Sequence, residues 1–77
     1  MNIYIQNLSP TTSRAELVGC FEEYGVVSDV SVSTYTVEGT FRASGFVAMP
    51  SSLQGQAAID GLQGKELAGM LLAVHKL

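Results

Sequence analysis

Length and charge limit what this chain can be. We expect residues 1–77 to form one domain, and a chain this short buries only about 60% of the surface that its unfolded form exposes. An apolar fraction of 47% is enough for one packed core and excludes intrinsic disorder, which requires low hydrophobicity and high net charge. The net charge is −3, and polyanion binders are usually basic, so charge alone argues against a nucleic-acid partner.

Several other classes are excluded by composition. The single cysteine, Cys20, cannot form an internal disulfide, and no Cys/His cluster offers zinc ligands, so we expect no metal and no cofactor. The N-terminus has neither the basic start nor the apolar run of a signal peptide, and no segment reaches the roughly 18 apolar residues of a membrane span. We therefore expect a cytoplasmic protein without a membrane partner.

The chain opens with a predicted strand and helix. Ile3 and Ile5 alternate with residues 2, 4 and 6, which is the pattern of a strand with one buried face. Ser13 and Glu16 have the spacing of a capping box, a pair that satisfies free amides at a helix start. The helix then carries an apolar stripe up to Gly25, formed by Leu17, Cys20, Phe21 and Tyr24.

Two further strands are predicted next, separated by a loop at residues 35–39. Val30 and Val32 face inward in the second strand, opposite to Asp29, Ser31 and Ser33. The third strand runs from Thr40 to Met49. Its inward face is expected to carry Phe41, Ala43, Gly45, Val47 and Met49, and its outward face Arg42, Ser44, Phe46 and Ala48. The missing side chain at Gly45 would let a helix pack closely beneath it.

The last two elements are a weaker helix and a strand. Ser51 and Gln54 form a second predicted capping box after Pro50, and the helix runs to Gly64. Its apolar stripe consists of Gly55, Ala58, Ile59 and Leu62. Glycines within this helix cost about 0.5 to 1 kcal/mol each relative to alanine, so packing must hold it. The final strand runs from Met70 to Lys76, with Leu72 and Val74 inward and Leu71, Ala73 and His75 outward.

The order of elements predicts a ferredoxin-like α+β fold. A βαββαβ order gives a four-stranded antiparallel sheet with both helices on one face. Right-handed crossovers place the first and third strands side by side in the centre. Tyr4 and Phe46 should then occupy the middle of the uncovered sheet face.

The two central strands also resemble known motifs. Residues 3–8, Ile-Tyr-Ile-Gln-Asn-Leu, and residues 42–49, Arg-Ala-Ser-Gly-Phe-Val-Ala-Met, resemble the hexapeptide and octapeptide of the RNA recognition motif. The helix stripes, Gly64, Gly69 and the last strand match that family's pattern at the same separations. The chain is similar to the short bacterial members, and the resemblance covers nearly all of it.

The resemblance implies single-stranded RNA binding, because outward aromatic rings offer faces on which unstacked bases can lie. Tyr4 and Phe46 would stack two bases, and Arg42 would pair with a phosphate. The family's third aromatic position holds Ser44 here, and Ala43 and Met49 also depart from the pattern. The predicted RNA-binding residues are Tyr4, Gln6, Arg42, Ser44, Phe46, Ala73, His75 and Lys76. Two stacking sites alone predict weak binding, in the range from about 1 µM to about 1 mM.

Other interpretations remain open. The outward face could instead dock a protein or a second copy of the chain, since it combines low charge with Tyr4, Phe46, Ala48, Leu71 and Ala73. A regulatory domain that binds a small molecule is a third possibility. Arg42 could form an ion pair with Glu38 or Asp29 rather than contact phosphate. Cys20 is expected to be a core residue and His75 a surface residue, and no enzyme motif is present.

Overall fold

The computed structural model describes residues 1–77, and its elements follow the predicted order. They are β1 (Asn2–Leu8), α1 (Arg14–Glu22), β2 (Asp29–Val37), β3 (Thr40–Ala48), α2 (Ser52–Leu62), β4 (Glu66–Leu67), β5 (Met70–Leu71) and β6 (Ala73–Lys76). Neither helix has the length and apolar character that crossing a membrane would require.

The main sheet has four antiparallel strands in the order β2-β3-β1-β6. This order confirms the ferredoxin-like fold and places β1 and β3 in the centre, as predicted. One face of the sheet packs on both helices. The opposite face carries no helix, and we call it the open face.

The core lies between the sheet and the helices. It contains 13 buried apolar side chains, among them Ile3 and Ile5 of β1 together with Leu17 and Phe21 of α1. Gly45 lies at the closest contact between α1 and the sheet, since a methyl group there would come within 2.7 Å of Leu17 Cδ2. The predicted reason for this glycine is therefore confirmed.

The first capping box forms as predicted. The Glu16 backbone N–H donates to Ser13 Oγ over 3.1 Å, and the Ser13 N–H donates to Glu16 Oε1 over 3.0 Å. Both bonds satisfy amides at the start of α1. Leu17 and Phe21 are fully buried, whereas Cys20 and Tyr24 are half-buried at the edge of the stripe.

The second predicted capping box is wrong in one half. Ser51 Oγ accepts from the Gln54 N–H over 3.2 Å, but the Gln54 side chain does not return to Ser51. Gln54 Oε1 instead accepts from the backbone N–H of Val26 over 3.1 Å. The amide thus joins the first turn of α2 to the loop before β2, which spacing within the helix could not reveal.

The loop predicted at residues 35–39 is also wrong. β2 continues to Val37, which pairs with Thr40, and the turn is only Glu38 and Gly39. Both turn residues have positive φ, 50° and 79°, which matches the right-handed twist of a two-residue hairpin. The hairpin extends beyond the helices, so Phe41 is 67% exposed although it was predicted to face the core.

A β-bulge interrupts β1. Ile5 pairs with Gly45 and Leu8 with Ala43, so residues 6 and 7 together stand opposite Ser44. Asn7 adopts φ 64°, a conformation that asparagine tolerates better than most residues. The extra residue returns Leu8 to the helix side, where it is buried.

The predicted final strand is divided in two. Met70–Leu71 pairs with Glu66–Leu67 as a separate hairpin, and only Ala73–Lys76 joins the main sheet. The side chain of Gln63 borders this outer strand, donating to Val74 O over 2.7 Å and accepting from Val74 N over 2.9 Å. This amide occupies backbone groups that an edge strand would otherwise leave free.

Candidate nucleic-acid interface

A row of four side chains crosses the middle of the open face. Tyr4 pairs with Phe46 on one side and with His75 on the other, and Phe46 also pairs with Ser31. We call this set the aromatic row. Directly opposed residues of an antiparallel pair have Cβ atoms about 4.5 to 5.5 Å apart, so the two rings are immediate neighbours. Both are half-buried, while His75 is exposed.

The next row along the strands holds small and polar side chains. Gln6 pairs with Ala73, and Ser44 pairs with Ser33. The sheet brings Gln6 and Ala73 to the open face as predicted. Ser44 lies on the same face but is only 8% exposed. It therefore offers RNA much less contact surface than the sequence predicted.

Arg42 lies one row further on and faces Tyr35 across the hairpin. An ion pair with Asp29 is excluded, because Asp29 stands opposite Ala48, six residues away along β3. Tyr35 is 42% exposed and shares the open face with Arg42. Tyr35 is not among the residues predicted from the sequence, because the sequence predicts a loop at residues 35–39. Its alternation with Ser31 and Ser33 was the signal that could have found it.

The structure corrects the prediction for Lys76. This residue pairs with Ile3, whose side chain is fully buried on the helix side. Opposed residues of an antiparallel pair point to the same face, so Lys76 belongs to the helix side of the sheet. Lys76 therefore does not join the aromatic row. Its spacing of two residues from the inward-facing Val74 already indicated the helix side.

A cleft of about 310 Å³ opens beside Arg42, next to the bulge, where the end of β1 meets the start of β3. We call it the β1–β3 cleft. The amide of Asn7 donates to Leu71 O over 2.8 Å and holds the small β4–β5 hairpin next to it. The cleft is lined by Gln6, Asn7, Leu8, Pro10, Tyr35, Thr40, Phe41, Arg42, Ala43 and Met70.

The site has the character of a binding surface with little charge. No group of three or more His, Cys, Asp or Glu side chains is placed to hold a metal ion. The other basic side chains lie elsewhere: Arg14 begins α1, and Lys65 precedes β4. Arg42 is thus the cation that the strand register places on the open face.

Comparison with known proteins identifies the family. The sequence pattern of the RNA recognition motif family matches residues 3–73, and the chain belongs to this family. It is 42% identical to "Putative RNA-binding protein RbpE" of Nostoc sp. over 76 residues, which cover 99% of this chain and 77% of that protein. It is 41% identical to "Putative RNA-binding protein RbpA" of Synechocystis sp., covering 99% of this chain and 75% of that protein.

Solved structures agree with this assignment. The crystal structure of RNA binding protein PG1 superposes with a TM-score of 0.85 at 35% identity, covering 97% of this chain and 90% of that one. The second RRM domain of yeast poly(U)-binding protein Pub1 superposes with a TM-score of 0.80 at 26% identity, covering 96% of this chain and 89% of that one. The fold is therefore that of the family.

Proposed function

We propose that this protein binds single-stranded RNA on the open face, with one base stacked on Tyr4 and another on Phe46. The observation that carries this proposal is the direct pairing of Tyr4 with Phe46 in the two central strands. Aromatic rings at this place offer faces to bases that are already unstacked, which single strands supply and duplexes do not. The printed names of the relatives, which are RNA-binding proteins, point in the same direction.

The neighbours of the two rings suggest how the rest of a nucleotide would be held. His75 and Gln6 flank Tyr4 on the open face and provide polar atoms for base edges or ribose hydroxyls. Arg42 provides the positive charge for a phosphate. Stacking is worth about 1 to 3 kcal/mol per base, so two rings contribute about 2 to 6 kcal/mol. Together with these polar and charged contacts, we expect affinities in the range from about 1 µM to about 1 mM.

The proposal covers the whole chain. Residues 1–77 act as one RNA recognition motif domain that binds RNA and catalyses no reaction, and we place it in the cytoplasm. The single-domain assignment is supported by one core cluster, which contains residues of β1, both helices and β6. The single half-buried cysteine is compatible with a reducing compartment.

The test is a titration of the amide NMR spectrum with pools of short single-stranded RNA. Tyr4→Ala and Phe46→Ala should each weaken binding by about 1 to 3 kcal/mol while leaving the fold intact. Leu53→Ala is the control, because Leu53 is an exposed apolar residue of α2 on the other side of the sheet. Thermal melts of all variants check the fold. RNA binding at the parental level by either ring variant would refute the two-ring stacking site.

A further inference from the structure

The open face carries an aromatic ring that the family motifs do not include. Tyr35 lies four residues from Ser31 along β2, and Ser31 belongs to the aromatic row. At about 3.3 Å per residue, Tyr35 is roughly 13 Å beyond that row and on the same face. We propose that Tyr35 stacks a further base of the same RNA strand, at the mouth of the β1–β3 cleft. This inference rests on the proposed function.

Between the aromatic row and Tyr35, the RNA strand can cross the sheet without stacking on a side chain. Ser44 and Ser33 form the row between them, and neither has a ring. A nucleotide above this pair meets only short side chains, and Ser44 is almost covered. The next ring along the face is Tyr35. Tyr35 of β2 therefore supplies a ring one row beyond Ser44 of β3, the position where the family has its third aromatic residue.

The surroundings of Tyr35 have the chemistry that a nucleobase requires. Arg42 stands directly opposite Tyr35, and a guanidinium can stack on a base or pair with its phosphate. Gln6 and Asn7 line the β1 wall of the cleft, where their amides can contact a base edge. Phe41 and Met70 add apolar surface. An aromatic face, a cation and amide groups around one concavity fit a base better than an aliphatic ligand.

The cation of the open face also lies at this end. Among the four Lys and Arg residues, Arg14 begins α1, Lys65 precedes β4 and Lys76 lies on the helix side. Arg42 is left as the cation of the open face. A phosphate chain that has crossed Tyr4 and Phe46 can therefore pair with Arg42 beside Tyr35. Glu38 lies in the turn beyond this pair, and the opposite end of the face carries Asp29 and no cation.

The inference predicts that the role of Tyr35 depends on RNA length. Random single-stranded RNA pools of three and eight nucleotides would be titrated against the parent and Tyr35→Ala. A trinucleotide can occupy the aromatic row without reaching Tyr35. Tyr35→Ala should weaken octanucleotide binding about 5- to 150-fold, the equivalent of one stacked base, and change trinucleotide binding by less than about twofold.

Two control variants isolate the ring. Tyr35→Phe should bind both pools like the parent, because it retains the stacking face. Thr36→Ala should also have no effect, since Thr36 pairs with Phe41 and faces the other side of the hairpin. Amides of residues 34–36 and 41–43 should shift with the octanucleotide and stay unchanged with the trinucleotide.

The outcomes separate this inference from the proposed function. If Tyr4→Ala weakens both pools and Tyr35→Ala weakens neither, the open face binds RNA but Tyr35 is not a stacking site. Equal losses for both lengths in Tyr35→Ala would mean that the variant disturbs the sheet, which also overturns the inference. If the parent binds neither pool, the proposed function and this inference both fail.

Discussion

The ring of Tyr24 lies directly against the backbone of Gly61. A methyl group on Gly61 would overlap the Tyr24 hydroxyl and come within 2.7 Å of its Cε1 atom. Tyr24 follows α1, and Gly61 belongs to the last turn of α2, so this contact packs the end of α1 against the end of α2. Because three atoms of one phenol group are involved, the whole Tyr24 ring must move to relieve the overlap.

We predict that Gly61→Ala destabilises the domain by about 1 to 3 kcal/mol, although alanine is the better helix former. The matched control is Gly19→Ala in α1, where nothing lies within 4 Å of the added methyl group. That variant should gain about 0.5 to 1 kcal/mol. Urea unfolding of both variants gives the comparison. A stabilised Gly61→Ala would show that the Tyr24 ring moves away at little cost.

The packing of α1 gives a second matched pair. Phe21 is fully buried in the core, so Phe21→Ala should cost about 3 to 5 kcal/mol and could unfold so small a domain. Phe41 is exposed beyond the helices, and Phe41→Ala should change stability by less than about 0.5 kcal/mol. Chemical denaturation followed by circular dichroism measures both. A loss below about 1 kcal/mol for Phe21→Ala would contradict the role assigned to α1.

The sequence predicted the parts of the fold that depend on periodic burial and local hydrogen bonds. The alternation of Ile3, Tyr4 and Ile5 fixed which face of β1 is buried, and the Ser13 capping box fixed where α1 begins. The same alternation placed Tyr4 and Phe46 together at the centre of the open face. These features need only neighbours in sequence and the βαββαβ order.

Sequence reasoning failed where the partner of a residue is distant in the chain. The amide of Gln54 binds Val26, 28 residues away, instead of closing a capping box. Asn7 makes a bulge that strict alternation does not show, and it lines the β1–β3 cleft. The sequence predicts a loop at Tyr35, because glutamate is not a typical first residue of a two-residue turn with positive φ. Asn7 and Tyr35 both lie at the end of the site beside Arg42.

The capping box predicts a pH dependence of stability. The backbone N–H of Ser13, aided by the Ser13 side chain, lowers the pKa of Glu16 below its usual value of 4.5. A carboxylate with a lowered pKa in the folded state stabilises that state above its unfolded pKa, and this contribution is lost as pH falls through the folded value. Stability should therefore decrease below about pH 4.5 in part through Glu16.

Glu16→Gln should make this acid-side decrease shallower, because the amide oxygen still accepts from Ser13 but no longer titrates. Denaturant midpoints between about pH 6 and pH 3 measure the slope. Glu66→Gln, a residue of β4, controls for the loss of one negative charge. If both variants follow the parental pH profile, the capping box contributes nothing to the acid sensitivity.

The salt dependence of RNA binding tests how far the acidic chain relies on stacking. Single-strand affinity falls with log salt at a slope of about −0.7 for each phosphate that is neutralised. With Arg42 as the one cation that the strand register places on the open face, we predict a slope of about −0.7. Arg42→Ala should bring the slope toward zero, whereas Lys76→Ala should leave it unchanged, because Lys76 lies on the helix side. The measurement is the affinity for one oligonucleotide at several salt concentrations. A slope steeper than about −3, or an equal response to both substitutions, would mean that the RNA follows a different surface of the molecule.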